Sequence, residues 1–162
     1  MPGLSFFKIS ILSILLGVLS SCLLMPEKGI QAVRCDVFDD QYQAPKLLSQ
    51  TCLYDDIESY RVSSYLRKFT PNFQLWSDGA YKSRWIYLPP NTRVNSDNPD
   101  QWIFPVGTQF FKEFTKKITL VSGIEQEIKV ETRHLIKTQD GEGVDAWSLV
   151  SYAWRRINKK PC

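Results

Sequence analysis

The sequence predicts a mainly β protein, an antiparallel β-sandwich or open barrel with a short N-terminal helical segment. From residue 73 onward, short aromatic and β-branched runs alternate with turn formers, which is typical of strands. About six such runs follow one another with short turns, and this favours antiparallel pairing. Hydrophobic residues make up 43% of the chain and aromatic residues 13%, enough apolar surface to bury a core.

The helical segment is expected near residues 46 to 52. Leu47, Leu48, Cys52 and Leu53 are spaced as one or two helical turns require. Irregular chain is expected to follow, as far as Thr70-Pro71.

The predicted strands lie in the C-terminal half of the chain. Ser122-Gly123 suits a tight hairpin turn, and Ile124, Ile128 and Val130 alternate with charged neighbours as in a strand with one wet face. In order, the predicted strands are "SRWIYL", "QWIF", "TQFFKEF", "KITLV", "IEQEIKVETRHLIK" and "AWSLVSYAW".

Residues 1–21 have the layout of an export signal. One charge, Lys8, precedes the apolar run "ISILSILLGVL" and then small residues. The run is about half as long as the roughly twenty residues that a membrane-spanning helix needs. The segment is therefore expected to direct export and to be removed.

The junction "LSSC" resembles the bacterial lipobox, which implies cleavage before Cys22 and attachment of diacylglycerol to its sulfur. Acyl chains contribute about 0.8 kcal/mol per buried CH₂, so two or three hold a protein on a membrane durably. Residues 22–45 then form the lipidated N-terminus and tether, and residues 46–162 a single β-rich domain. Leu23, in place of the aspartate of inner-membrane retention, favours the outer membrane, with the domain facing the periplasm or the cell surface.

Export places the remaining cysteines in an oxidising compartment. Cys35 and Cys52 enclose a loop of moderate length and are the preferred disulfide, a link that contributes on the order of 3 kcal/mol. Cys162 is left as a terminal thiol, and beside the family resemblance described below it implies a chain shortened relative to the proteins that it resembles.

The charge balance argues against nucleic acid as a partner. The formal net charge is +3, and it falls to about +2 when Lys8 leaves with the signal. Basic residues are scattered except in "RRINKK" near the C-terminus, which is interpreted as a solvated tail.

Aromatic residues raise the question of a binding surface. In "LWSDGAYKSRWIYLPP", Asp78 and Gly79 suit a turn, and the following strand is expected to bury its rings in the core. The alternative is a surface that stacks sugar or peptidoglycan on exposed indoles. Its candidate residues are Trp76, Asp78, Trp85, Trp102 and Arg133.

Catalysis is not favoured by the sequence. Asp78, Glu113, Glu131 and His134 are the candidate acids and bases, but no motif pairs them in one cleft. Glu131 and Arg133 are instead expected to pair on a strand. One histidine and well-separated cysteines do not form a metal site, so no metal and no cofactor are expected.

Three strings, "LWSDGAYKSRWIYLPP", "WIFPVGTQFFKEF" and "ETRHLIK", are followed by "SYAW". Over residues 46–155 this order resembles an uncharacterised extracytoplasmic domain of bacterial secreted proteins and lipoproteins, often found upstream of a c-type cytochrome module. The resemblance implies location and architecture, and it brings no activity.

Two departures from that pattern matter. The haem-attachment motif C-x-x-C-H is absent from these residues, and His134 stands where the related pattern has an aliphatic residue. We therefore expect a lipid-anchored, non-enzymatic accessory or interaction module, with the membrane and a protein of the cell envelope as partners. The alternatives are a component or truncated part of a c-type cytochrome electron-transfer system, and a carbohydrate or cell-wall binding domain.

Overall fold

The protein is mainly β, as the sequence predicts. The computed structural model describes residues 34–35, 43–141 and 143–155, and within these ranges seven strands form two antiparallel sheets. A sandwich or an open barrel is not established by this arrangement. The strands are β1 (Tyr54–Asp56), β2 (Arg61–Val62), β3 (Arg67–Lys68), β4 (Tyr81–Tyr87), β5 (Gln109–Thr119), β6 (Glu125–Lys137) and β7 (Trp147–Ala153).

Strand order in the larger sheet follows the chain. β3 to β7 pair antiparallel with their sequence neighbours, while β1 and β2 form a separate two-stranded sheet. Two predicted strands, "TQFFKEF" and "KITLV", are one strand, because Lys116 and Lys117 continue the ladder opposite Ile128 and Glu127. The predicted strand "QWIF" forms only an isolated bridge between Asn95 and Ile103.

The larger sheet has two unlike faces, defined by the side chains that alternate along β5. Gln109, Phe111, Glu113 and Thr115 are buried, and we call their side the inner face. The intervening residues lie on the outer face, which is only partly buried. Trp85, Tyr87, Phe111 and Tyr152 contribute to the core from this face.

A bulge changes the alternation of β6. The register shifts between Phe114 and Thr115, so that they face Glu131 and Lys129 and leave Val130 between. A bulge inserts one residue and re-aims the side chains beyond it. The prediction that Ile124, Ile128 and Val130 mark the buried side of this strand is therefore wrong: Ile124 and Val130 are exposed, and Ile128 is only partly buried.

The N-terminal part of the domain covers the inner face. Cys35 and Cys52 are joined in a disulfide with a Cα–Cα distance of 5.0 Å, within the normal range. The Gln109 amide donates a hydrogen bond of 3.0 Å to the Cys35 carbonyl and ties this link to β5. The core cluster comprises Cys35, Leu48, Cys52, Leu53, Tyr54, Leu66, Trp85, Tyr87, Phe111 and Tyr152.

The predicted helical segment is a single 3₁₀ turn, Leu48–Gln50. Leu48 is buried, and the Thr51 hydroxyl donates to its carbonyl at 2.7 Å. A second 3₁₀ turn, Val144–Ala146, precedes β7. No helix in the described ranges has the length and apolar character to cross a bilayer.

Several predictions fall outside the described residues. They concern the signal at residues 1–21, lipidation of Cys22, most of the tether at 22–45, and the thiol of Cys162. They stay predictions from the sequence.

Candidate functional site

A cleft of about 340 Å³ lies where β6 ends and β7 begins. One wall is the loop at residues 100–104, and the other is the connection between the two strands. The side chains that matter chemically are Asp100, Gln101, Trp102, Phe104, Lys137 and Trp147.

The loop wall is fixed to the sheet by backbone and aromatic contacts. Asn95 and Ile103 exchange two backbone hydrogen bonds of 2.9 Å. The Phe104 ring packs edge-on against Phe110 at 5.1 Å and against Trp147 at 5.9 Å, a favourable geometry for aromatic pairs. The cleft is therefore preformed.

Lys137 supplies the cation of the cleft. It is the last residue of β6 and only 3% exposed, and its backbone nitrogen donates to Thr108 at 2.8 Å. The ammonium donates to the Gly141 carbonyl and lies 5.2 Å from the centre of the Trp147 ring. Both contacts hold the charge at one place in the cleft wall.

The two indoles of the cleft differ in exposure. Trp102 is 57% exposed although it carries a large apolar surface, while Trp147 is partly buried between Phe104 and Lys137. An apolar ring face with convergent polar groups is the usual composition of a ligand site. Here Asp100, Gln101 and Lys137 provide those polar groups, so the cleft can stack a ring and hydrogen-bond its substituents.

The outer face continues from the cleft into a cationic row. Arg84, Lys112 and Arg133 are register partners on β4, β5 and β6. The ring of Phe114 lies beside this row, 4.9 Å from the Lys112 ammonium and 5.0 Å from the Arg133 guanidinium. Within the described chain, neither Arg84 nor Lys112 forms an ion pair with a carboxylate.

One carboxylate interrupts this positive surface. Arg133 donates to Glu131 at 2.7 Å, as the predicted strand pair requires, and Ser151 donates to the same carboxylate. These hydrogen bonds lower the pKa of Glu131. The pKa of Lys112 is also lowered, first by desolvation and then by the charges of Arg84, Lys82 and Arg133.

A second polar cluster lies on the inner face. The Tyr54 hydroxyl donates to Glu113, and the Lys129 ammonium donates to the same carboxylate and to the Tyr54 oxygen. Lys129 also lies 4.6 Å from the ring centre of Tyr60 and 5.5 Å from that of Trp154. A buried carboxylate needs such pairing, so the cluster has a structural explanation. Burial and Glu113 raise the pKa of Tyr54.

His134 belongs to the core. Its ring stacks on Phe111 at 4.2 Å, and its Nε2 donates at 2.7 Å to the Gln109 side-chain oxygen, since the Gln109 nitrogen is itself a donor. Its Nδ1 has no hydrogen-bond partner in the described part of the chain. Burial lowers the pKa of His134 to about 3, so the imidazole is neutral at physiological pH.

The residues predicted for a binding surface are not brought together as a group. Trp76 (85% exposed) and Asp78 lie in the segment before β4, where Asp78 adopts a φ of 51° and the Ser77 hydroxyl, rather than Asp78, bonds within the turn. Trp85 is 8% exposed and lies on the inner face, as expected of a strand that buries its rings in the core, so it does not belong to an exposed surface. Trp102 lines the cleft, and Arg133 lies on the outer face.

Sequence reasoning missed Trp147, Lys137, Lys112 and Arg84. The alternation within "AWSLVSYAW" places Trp147, Leu149 and Ser151 on one side of a strand, but only the register shows which residues of β6 adjoin them. In the described ranges no three His, Cys, Asp or Glu side chains are grouped as a metal site would require.

Comparison with known proteins identifies no relative. No family model matches the chain, and no curated protein or solved structure matches it.

Proposed function

We propose that this protein is a lipid-anchored, non-enzymatic binding module of the bacterial cell envelope that binds a glycan in the cleft beside Trp102. The sequence supports the anchor at Cys22 and, through it, an outer-membrane location facing the periplasm or surface. One observation carries the choice of ligand: two indoles and a fixed cation, Trp102, Trp147 and Lys137, converge on one preformed cleft.

Exposure of the indole supports a ligand that stacks. Trp102 leaves 57% of its surface in water, although the next two residues, Ile103 and Phe104, are held to the rest of the domain by hydrogen bonds and ring contacts. Aromatic rings bind flat apolar surfaces such as the C–H face of a sugar, while Asp100 and Gln101 suit its hydroxyl groups.

The acid and base groups support binding rather than hydrolysis. Glycosidases use two carboxyl groups that flank the scissile bond, whereas among the described residues that line this cleft Asp100 provides one carboxylate. Glu113 and Glu131 are engaged by basic partners, and His134 is enclosed in the core.

The proposal also covers the packing of the two sheets, the electron-transfer alternative and a protein partner. Tyr54 of β1 reaches Glu113 of β5, which supports a sandwich-like packing of the small sheet on the inner face.

The electron-transfer alternative rests on the sequence resemblance, and co-purification of a haem protein from the native host would test it. A protein partner in the envelope would be recovered in the same purification.

The test is a titration of intrinsic fluorescence. Full-length protein in detergent is titrated with soluble cell-wall fragments released by a muramidase, alongside Trp102→Ala and Trp76→Ala. Trp76 is the matched control, because it is even more exposed but lies outside the cleft. We expect saturable quenching that Trp102→Ala abolishes and Trp76→Ala retains. Absence of quenching in the wild type would refute the proposal.

A further inference from the structure

The cationic row on the outer face is unusually dense in charge. Four basic side chains lie together on the outer face, those of Lys82, Arg84, Lys112 and Arg133. Glu131 is the carboxylate among them. Neighbouring strands lie about 4.8 Å apart, so the three register partners spread their charges across roughly 10 Å. Like charges this close repel, and an anion bound between them relieves the repulsion.

Burial adds to that repulsion. Arg84 is only 9% exposed, and desolvation lowers the pKa of Lys112, so these cations are partly withdrawn from water. A charge in such surroundings binds an anion more strongly than a solvated lysine does. Lys112, which is partly exposed, can therefore donate to a ligand's negative group, and the buried charge of Arg84 beside it adds to the attraction.

An exposed strip connects this row to the cleft. Trp147, Leu149 and Ser151 lie on the same side of β7, and Leu149 is 60% exposed. Arg133 is the register partner of Ser151, and its side chain is 45% exposed. Ser151 lies four residues further along the strand than Trp147, a distance of about 13 Å. A short polymer that stacks in the cleft thus reaches the row by following β7.

We propose that Arg84, Lys112 and Arg133 form an anion subsite, and that the ligand of the cleft is an acidic glycan whose carboxylate or phosphate groups bind there. This inference rests on the proposed function, because the cleft supplies the stacking end of the ligand. It adds a ligand class and a second contact region. Lys137 is a matching cation at the cleft end of the same face.

A glycan array of neutral, carboxylate-bearing and phosphate-bearing oligosaccharides tests the subsite. The test variant is Lys112→Gln/Arg133→Gln. The matched control is Lys116→Gln/Lys117→Gln, which removes two charges from the exposed end of β5, beyond the row. Circular dichroism and thermal unfolding verify that both variants are folded. The best acidic oligosaccharide is then titrated by calorimetry at low and high salt.

We expect the wild type and the control to bind acidic oligosaccharides, with affinity that falls as salt rises. Lys112→Gln/Arg133→Gln should weaken this binding by at least about tenfold, since hydrogen bonds to charged groups are the stronger class. Unchanged acidic binding in that variant would overturn the inference. Wild-type binding to neutral glycans alone would also overturn it and would leave the proposed function standing. Binding to no glycan at all would refute the proposed function itself.

Discussion

Lys137 and Trp147 are register partners at the start of the β6 and β7 ladder, and the Lys137 ammonium lies 5.2 Å from the centre of the Trp147 ring. The same ammonium donates to the Gly141 carbonyl. The strand pairing thus fixes a cation against an aromatic wall of the cleft.

Lys137→Met should weaken glycan binding by about tenfold, the value of one charge-assisted contact. Methionine keeps most of the buried volume. The melting temperature should therefore fall only by the small amount that the loss of the hydrogen bond to Gly141 causes. Calorimetric titration and thermal unfolding measure the two effects. Wild-type affinity in this variant would show that the cation does not contact the ligand.

His134 should make the fold sensitive to acid. Burial depresses its pKa to about 3 from an unfolded value near 6.5, so the unfolded chain binds more protons between these values. The stabilising contribution is present above about pH 6.5 and is lost as the pH falls toward 3. Urea unfolding at pH 7 and pH 4.5 should therefore show that the free energy of unfolding falls more for the wild type than for His134→Leu as the pH is lowered.

The disulfide should contribute on the order of 3 kcal/mol to the free energy of unfolding. Cys35→Ser/Cys52→Ser is expected to lower the free energy of unfolding by that amount, with a further cost for placing hydroxyls in a buried cluster, and so to lower the urea midpoint. Cys162→Ser serves as the control and should leave the midpoint unchanged. Equal midpoints for the wild type with and without reductant would contradict the prediction.

Lys129→Met should destabilise the domain by about 3–5 kcal/mol, because it leaves the Glu113 carboxylate buried without its cation. Lys129→Met/Glu113→Gln should recover part of this loss, since the uncompensated charge is removed. Tyr54→Phe should cost less, about 1–3 kcal/mol for one hydrogen bond to a charged group. Denaturant unfolding measures the stability of all three variants. An unchanged free energy of unfolding in Lys129→Met would disprove that Glu113 needs this cation.

Strand content was predictable from the sequence where aromatic and β-branched residues cluster. "SRWIYL" and "AWSLVSYAW" correspond to β4 and β7, and the preferred cysteine pair lies at bonding distance. The uninterrupted course of β5 was not predictable, because the partner strand, not local composition, keeps Lys116 and Lys117 extended.

The site was less predictable than the strands. Trp102 was identified by type alone, whereas the roles of Lys137 and Lys112 depend on cross-strand register and on the bulge near Val130. Trp85 was expected in the core as part of an aromatic strand, and its burial excludes it from the alternative of an exposed binding surface. The pairing of distant strands determines which of these side chains line the cleft and which are buried, and a local sequence pattern does not specify that pairing.

The most direct measurement of the central claim is ¹⁹F NMR on protein labelled with 5-fluorotryptophan. The chain has five tryptophans, so five resonances are expected, each assigned by a single Trp→Phe variant. On addition of the glycan identified on the array, we expect the Trp102 and Trp147 resonances to shift, while those of Trp76 and the buried Trp85 stay in place. Shifts at Trp76 with unchanged Trp102 and Trp147 would contradict binding in the cleft.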